Sequence, residues 1–481
     1  MKTNFIALAL LTVTLGACSS DFLSVAPVTE RTVANFYRTS ADFNTAVTGT
    51  YATFKNNGMY GTGSGSLIWL GEVATDNTDY GYTRTPVSAV GFEIDDLNFS
   101  LSNTFFRDAW LTHYQGIGRA NGILDRIETA TFEATLKNQY EGEARFLRAL
   151  FYFNLVQLFG EVQLVKTEIN DPYGTAGIPR SPVAEVYGLI VSDLIVAEEK
   201  LPATATAAYA GRATRLAAKS LLGKVYLTQK QYDKAGAKLK EVIDASVHSL
   251  MPNYADVFSA GTSFAANREV ILAVQYKSGQ IGQGGGFYTT WTPFGVTVPE
   301  FGVTGGPGDG INRPTPDLIA AYEPGDVRRA ASLVTSYRTA QGAVVNEPYP
   351  VKFRQTGIIR GESDVDFPLL RYADVLLMYA EALNEQGQSG AALPIVNQVR
   401  KRGGLADKTA LSQGDLRLAI EQERRVEFAF ESHRWFDLVR TGRLVPVLKA
   451  KNYPVKDFHV LYPIPQRETD LNRSLTQNTG Y

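Results

Sequence analysis

The sequence predicts a mainly α-helical fold, in which a scaffold of tetratricopeptide-like helix hairpins is interrupted by loop-rich insertions. Three observations carry this expectation: long blocks with helical spacing of apolar residues, two blocks that share one spacing of small residues, and two glycine- and aromatic-rich stretches with no helical period.

The first block, "NQYEGEARFLRALFYFNLVQLF" at 138–159, places Phe146, Leu150 and Phe153 on one helical stripe and Ala149, Phe153 and Val156 on another, with charges between. It predicts a long amphipathic helix that ends at Gly160. In the second block, 213–246, Leu222-Gly223, Tyr226 and Ala235 follow the tetratricopeptide spacing, where small residues let two antiparallel helices approach and the tyrosine fills the groove. The third block, 371–404, repeats the design with Ala380 at the small position, Leu383 at the aromatic one, and Ala392 as far from Ala380 as Ala235 is from Gly223. The two hairpins lie much farther apart than a tandem period of about 34 residues, so the helical stack must be interrupted.

The interruptions are 56–105 and 252–368, rich in Gly, Pro and aromatics. Long irregular loops on a rigid scaffold commonly carry function. The expected organisation is a leader at 1–17 and a single domain at 18–481. Within that domain the helical scaffold spans roughly 107–250 and 369–443, and the insertions around 56–105 and 252–368 form a ligand face.

Composition narrows the function classes. A net charge of −2 gives no basic surface for nucleic acid. Aromatics make up 11% of the residues and Gly is frequent at 43, which favours a folded chain with shaped loops. The one cysteine, Cys18, excludes an internal disulfide. Ahead of it stand Lys2, the apolar run Phe5–Leu15 and the small pair Gly16-Ala17, which resemble a bacterial lipoprotein leader cleaved before a lipidated cysteine, the alternative being an ordinary secretory leader with a cysteine near its cleavage site. The run is shorter than the roughly 20 residues a spanning helix needs, so the expected attachment is by acyl chains at Cys18.

Catalytic patterns are missing. Gly61-Thr62-Gly63-Ser64-Gly65-Ser66 lacks the third glycine of a dinucleotide loop and the Lys-Ser/Thr of a phosphate loop. No serine sits in G-x-S-x-G, and the order of ligands after Glu72 does not follow an EF-hand. The four histidines, His113, His248, His433 and His459, are far apart in sequence, so no metal or other cofactor is predicted. Asp76, Asp79, Asp95, Asp96 and Asp309 would serve a glycosidase only at defined separations, which leaves hydrolysis as an alternative with no residue marked out. In "ERRVEFAFESHRWFDLVRTGR" at 423–443, Arg424/Glu427, Glu431/Arg434 and Asp437/Arg440 are i,i+3 pairs that predict an ion-pair ladder along one helix. What remains are aromatics in polar loops. Trp69, Tyr80 and Tyr82 lie in the first insertion, Phe287, Tyr288, Trp291 and Phe294 in the second, near Asp76, Asn77, Thr289 and Thr290. Flat apolar rings edged by hydrogen-bonding groups suit a sugar ring. The candidate contacts are Trp69, Asp76, Asn77, Tyr80, Tyr288, Trp291 and Phe294.

Five ordered stretches carry a wider likeness: "EGEARFLRALFYFNLVQLFG" (141–160), "AAYEPGDVRR" (320–329), "LLRYADVLLMYAEALNEQG" (369–387), "ERRVEFAFESHRWFDLVRTG" (423–442) and the closing "LYPIPQRETDLNRSLTQNTGY". In these the chain resembles the SusD/RagB family of outer-membrane nutrient-binding lipoproteins. The resemblance implies no catalysis, a ligand that is a glycan or, in the RagB-like branch, an oligopeptide, and a partner, a TonB-dependent β-barrel transporter that the protein caps at the cell surface. A scaffold that binds only its protein partner is the remaining alternative. "LGEVATDN" matches the family's early acidic-Asn stretch, which bears on Trp69, Asp76 and Asn77. After Cys18 only Asp21 supplies the acidic character associated with surface display in the family.

Overall fold

The computed structural model describes residues 36–61, 64–171, 174–205, 209–262 and 264–481. Cys18 and the leader lie outside the described residues, as do Thr62 and Gly63. Helices dominate. We label the principal ones α1 (Ser40–Tyr51), α2 (Thr104–Ile127), α3 (Ala134–Phe159), α4 (Val183–Lys200), α5 (Arg215–Thr228), α6 (Tyr232–Asp244), α7 (Tyr372–Glu385), α8 (Ser389–Arg402), α9 (Gln413–Glu427), α10 (Arg434–Arg440) and α11 (Leu444–Ala450).

Each helix packs on its successor from α2 to α8, so the stack is continuous in space although the chain leaves it for more than a hundred residues between α6 and α7. The small-residue spacing does what it predicts. A Cβ on Gly223 would come within 2.7 Å of the Leu239 side chain, so α5 and α6 approach closely only because Gly223 has none. Ala235, Ala380 and Ala392 are fully buried in the equivalent contacts, with Tyr226 and Leu383 beside them.

Helix α3 begins earlier than its apolar pattern, at Ala134 behind the capping carboxylate of Glu133, and ends at Gly160 with φ 72°. It is not amphipathic in place. With α2 on one side and α4 on the other, nearly every residue from Gln139 to Phe159 is buried, the charged ones included. Those charges are satisfied locally: Arg148 donates to Asp193 at 2.7 and 2.8 Å and to Asn121 at 2.8 Å, and Gln139 donates to Glu143 at 2.9 Å.

The insertions contribute short helices and two-stranded ladders. Those that matter here are β1 (Thr78–Asp79) paired antiparallel with β3 (Arg313–Pro314), and β2 (Val270–Val274) paired antiparallel with β4 (Phe367–Arg371). The second ladder enters the scaffold with its charges buried. Arg371, at the end of β4, bonds Glu269 (2.8 Å), Glu427 (2.6 Å) and Glu431 (2.8 Å), and Arg402 also reaches Glu427. Lys352 bonds Glu431 at 2.5 Å and is pushed down to about 8 by its burial. The return of the chain from insertion to scaffold is thus fixed by a buried salt-bridge network, which tolerates little displacement because each charge depends on the others.

The predicted single helix at 423–443 is two helices. Glu427 ends α9, a turn with Phe430 and Ser432 at positive φ (69° and 61°) follows, and α10 starts at Arg434. Of the three expected i,i+3 pairs, Asp437–Arg440 forms at 2.8 Å. Arg424 instead bonds Asp374 and Asp437, and Arg434 bonds Asp76, because the turn rotates both toward carboxylates from elsewhere in the chain.

Candidate ligand-binding site

The first insertion begins with a short helix at Ser66–Ile68 that widens into a π-turn over Trp69–Val73 and drives this stretch into the core. Trp69 is 3% exposed; its ring stacks on Phe105 (centroids 4.6 Å, 24°) and its indole N–H donates to the Ser64 carbonyl. The Glu72 carboxylate accepts N–H groups from Phe430 (3.0 Å) and Ser432 (3.1 Å) and the Asn77 amide (2.9 Å), which pins the α9–α10 turn. Burial pushes Glu72 up to about 7. Asp76 is fully buried. Burial alone would raise it, but Arg434 (2.8 Å), Arg425 (3.1 Å) and Lys451 (2.5 Å) hold it well below the carboxylate range. Asn77 accepts from Arg425 at 2.8 Å.

Beyond Thr78 the chain turns outward. Asp79 pairs with Arg313 across the β1–β3 ladder (2.7 and 3.2 Å), the Gly81 N–H donates to the Gly310 carbonyl (2.9 Å), and the Gly310 N–H donates to Thr292 (3.0 Å). Gly295 closes the lattice by donating to Gly308. Segments 78–82, 290–295 and 308–314 are therefore laced by main-chain bonds, and the two insertions form one surface.

On that surface Tyr80, Tyr82 and Phe294 are partly exposed and in sequence contact. Tyr80 and Tyr82 stack (5.3 Å, 23°), and Tyr82 touches Phe294 across the insertions at 44°. Tyr80 is seated edge-on against Trp69 (4.7 Å) and tilted against Phe92 (4.9 Å). Gly91, in the helix Ala89–Asp95, makes this seat possible: a Cβ there would lie 2.5 Å from the Tyr80 ring and 2.9 Å from Trp69. Around the three rings stand Asp309 with Arg360 (2.5 Å) and Asp95, which lies near the Tyr80 main chain. Burial, then Tyr82 and Asp309, push the Tyr80 hydroxyl up to about 12, so it is a neutral donor at any physiological pH.

Tyr80 and Phe294 of the seven candidate contacts thus meet at the surface. Tyr288 and Trp291, each 1% exposed, are interior. Tyr288 donates to the Phe301 carbonyl within a small cluster with Tyr337 and Tyr349, and Trp291 packs against Phe287, Phe353 and Phe430. Trp69, Asp76 and Asn77 are interior as well, each bonded as described.

Family profiles match both ends of the chain. One, described as the SusD family, covers residues 335–481, and another, described as starch-binding associating with outer membrane, covers 21–227. SusD-like protein P2 of Formosa agariphila is 30% identical over 520 residues, spanning 100% of both chains. The chain belongs to the SusD/RagB family. Starch-binding protein SusD of Bacteroides thetaiotaomicron is 26% identical over 76% of each chain. A solved laminarin-binding SusD-like protein superposes with a TM-score of 0.80 at 26% identity, covering 92% of this chain and 100% of that one.

In this SusD-family chain, Tyr82 is the contact that joins the two insertions and that the seven candidates leave out. Its signal was its position: in "DYGY" Tyr80 and Tyr82 stand two residues apart, the spacing that sends side chains to one side of an extended segment, and Gly81 lets the pair pass close to Gly310. Among the described residues, no three His, Cys, Asp or Glu side chains gather to hold a metal ion, and no helix is long and apolar enough to cross a membrane.

Proposed function

We propose that the protein captures a glycan on the Tyr80–Tyr82–Phe294 ladder and hands it, without chemical change, to a TonB-dependent transporter in the outer membrane. The observation that carries this reading is the ladder itself: three ring faces from two distant insertions, seated on the core and edged by carboxylates, match the alternation of C–H faces and hydroxyl edges on a sugar. The functions of relatives support the ligand class, since one is a starch-binding protein and another binds laminarin. Outer-membrane association is supported by the matching family description, and lipidation at Cys18 is the proposed anchor. The leader at 1–17 and the single domain at 18–481 belong to the same proposal.

The test is affinity electrophoresis of the protein through gels containing a panel of polysaccharides, with calorimetry of oligopeptides alongside. Retardation by a glycan that is weakened in Tyr82→Ala supports the reading. Heat from peptides alone would move the protein to the peptide-binding branch, and silence from both would leave a scaffold that binds only its protein partner.

A further inference from the structure

The rim of the ladder is charged, and its charges are arranged unevenly. Every guanidinium named there is already held by a carboxylate: Arg84 by Asp96 in two bonds of 2.7 Å, Arg313 by Asp79 at 2.7 and 3.2 Å, and Arg360 by Asp309 at 2.5 Å. An arginine whose fork is occupied offers little to a sulfate or carboxylate on a ligand. Two further carboxylates stand outside these pairs. Asp95 ends the helix Ala89–Asp95 whose Phe92 packs on Tyr80, and Glu347 lies two residues before the strand Tyr349–Pro350 that packs on β3; both are partly exposed, and Arg313 feels Asp79, Glu347 and Asp95 together. The rim therefore presents an excess of negative charge. Carboxylates already paired with arginine keep lone pairs that accept sugar hydroxyls, the donor every neutral glycan supplies.

We infer that this rim selects uncharged glycan chains and turns away sulfated or uronate-bearing ones, with Asp95 and Glu347 as the discriminating groups. The inference rests on the glycan reading of the ladder. Asp95 also makes the discrimination sensitive to pH. The groups that face it are Asp79 from β1, Asp96 and Arg84 from its own segment, Arg313 from β3, Tyr453 beyond α11, and the Tyr80 main chain. Burial first, then Asp79, push it up to about 7, so protonation near neutrality removes one of the two repelling charges.

The experiment uses the full chain purified in detergent, run through gels containing a neutral glucan, mannan, xylan or galactan, or the carboxymethylated derivative of the same polymer. The expected result is retardation by one neutral polymer at a concentration at least about ten-fold below that of its derivative at pH 8, with the gap narrowing at pH 6. The Asp95→Asn/Glu347→Gln variant should bring the two polymers within about three-fold of each other, the ratio of derivative to neutral polymer being read within each protein so that any change in neutral affinity cancels. Equal retardation of wild type by both polymers, or an unchanged ratio in the variant, overturns the inference and leaves the glycan reading standing. Retardation by no polymer at all, charged or neutral, overturns the glycan reading and takes the inference with it.

Discussion

Residues 69–77 and 79–82 belong to one loop and contain the same kinds of side chain, yet they meet opposite fates. The first half is interior: Trp69 is packed on Phe105, Glu72 and Asn77 staple the α9–α10 turn, and Asp76 is enclosed by two arginines and a lysine. The second half is at the surface, where Tyr80 and Tyr82 stack and Asp79 holds Arg313 at the rim. The difference lies in what the rest of the chain brings. The α9–α10 turn and its flanking helices supply N–H groups and guanidiniums to the first half, whereas the second meets another loop and the rings of Trp69 and Phe92. Aromatic and acidic residues in a glycine-rich segment therefore mark a site only where no scaffold charge arrives to claim them.

Asp76 gives the largest expected effect. Asp76→Asn leaves Arg434, Arg425 and Lys451 short of a counter-charge in the interior and should destabilise the protein by about 3–5 kcal/mol. Asp79→Asn, only three residues on but with its side chain 31% exposed, should cost under about 1 kcal/mol. Guanidinium denaturation of both variants checks the contrast, and equal losses would erase the distinction between the two halves.

The pH dependence of stability sharpens it further, because two carboxylates of the interior half act with opposite sign. Asp76 is held below its unfolded value, so its contribution is complete above about pH 4 and is lost as pH falls through the folded value. Glu72 is raised to about 7, so the folded state binds the extra proton between about pH 4.5 and 7 and stability falls as pH rises through that window. Asp366, raised to about 6 by burial, adds to the same decline. In denaturation curves from pH 3 to 8, each read against wild type, Glu72→Gln should remove a contribution to stability that falls between about pH 4.5 and 7, and Asp76→Asn one that rises up to about pH 4. A variant with an unaltered slope would show that its carboxylate titrates alike folded and unfolded.

The fold was largely legible in the sequence because helix packing is written in local spacing. Gly160 ends α3 where the apolar pattern stops, and Gly223 and Ala235 mark the close approach of α5 and α6 through residues that sit within one hairpin. Burial of α3 on nearly all sides was not legible, since Arg148 looks like a surface charge until Asp193 arrives from α4. The α9–α10 break escaped for the same reason: nothing in "EFAFESHRW" is a helix breaker, and the positive φ of Phe430 and Ser432 is held by bonds to Glu72, far away in sequence. The candidate site was half legible as geometry. Residue type pointed to the loops that carry the exposed rings, but the choice between Trp69 and Tyr82, or Trp291 and Phe294, depends on which ring the core takes first, and that is decided by long-range packing against Phe105, Phe353 and Phe430.

Binding separates the two sets of rings. Tyr82→Ala should weaken glycan affinity by about 1–2 kcal/mol, roughly five- to thirty-fold, with little change in melting temperature, because its ring rests on other surface rings. Trp69→Ala should lower the melting temperature and weaken binding only by unseating Tyr80. Calorimetric titration with thermal melts on both variants checks this. Lost affinity in Trp69→Ala at unchanged stability would return that indole to the ligand.

The smallest effect is expected at the rim pair. A double-mutant cycle of Asp79→Asn and Arg313→Gln should give a coupling of about 0.5–1 kcal/mol at low salt, because both side chains are about one-third exposed and water competes for each charge. Raising the ionic strength should shrink that coupling, since exposed charges are screened within about 10 Å at 0.1 M salt. The same cycle on Asp76 and Arg434, with side chains 0% and 5% exposed, should give a larger coupling that salt leaves intact. If the rim pair proves as strong and as resistant to salt as the interior one, the surface half of the loop is as rigidly held as the scaffold. The ladder would then meet its ligand preformed, with no adjustment of Asp79 or Arg313 on binding.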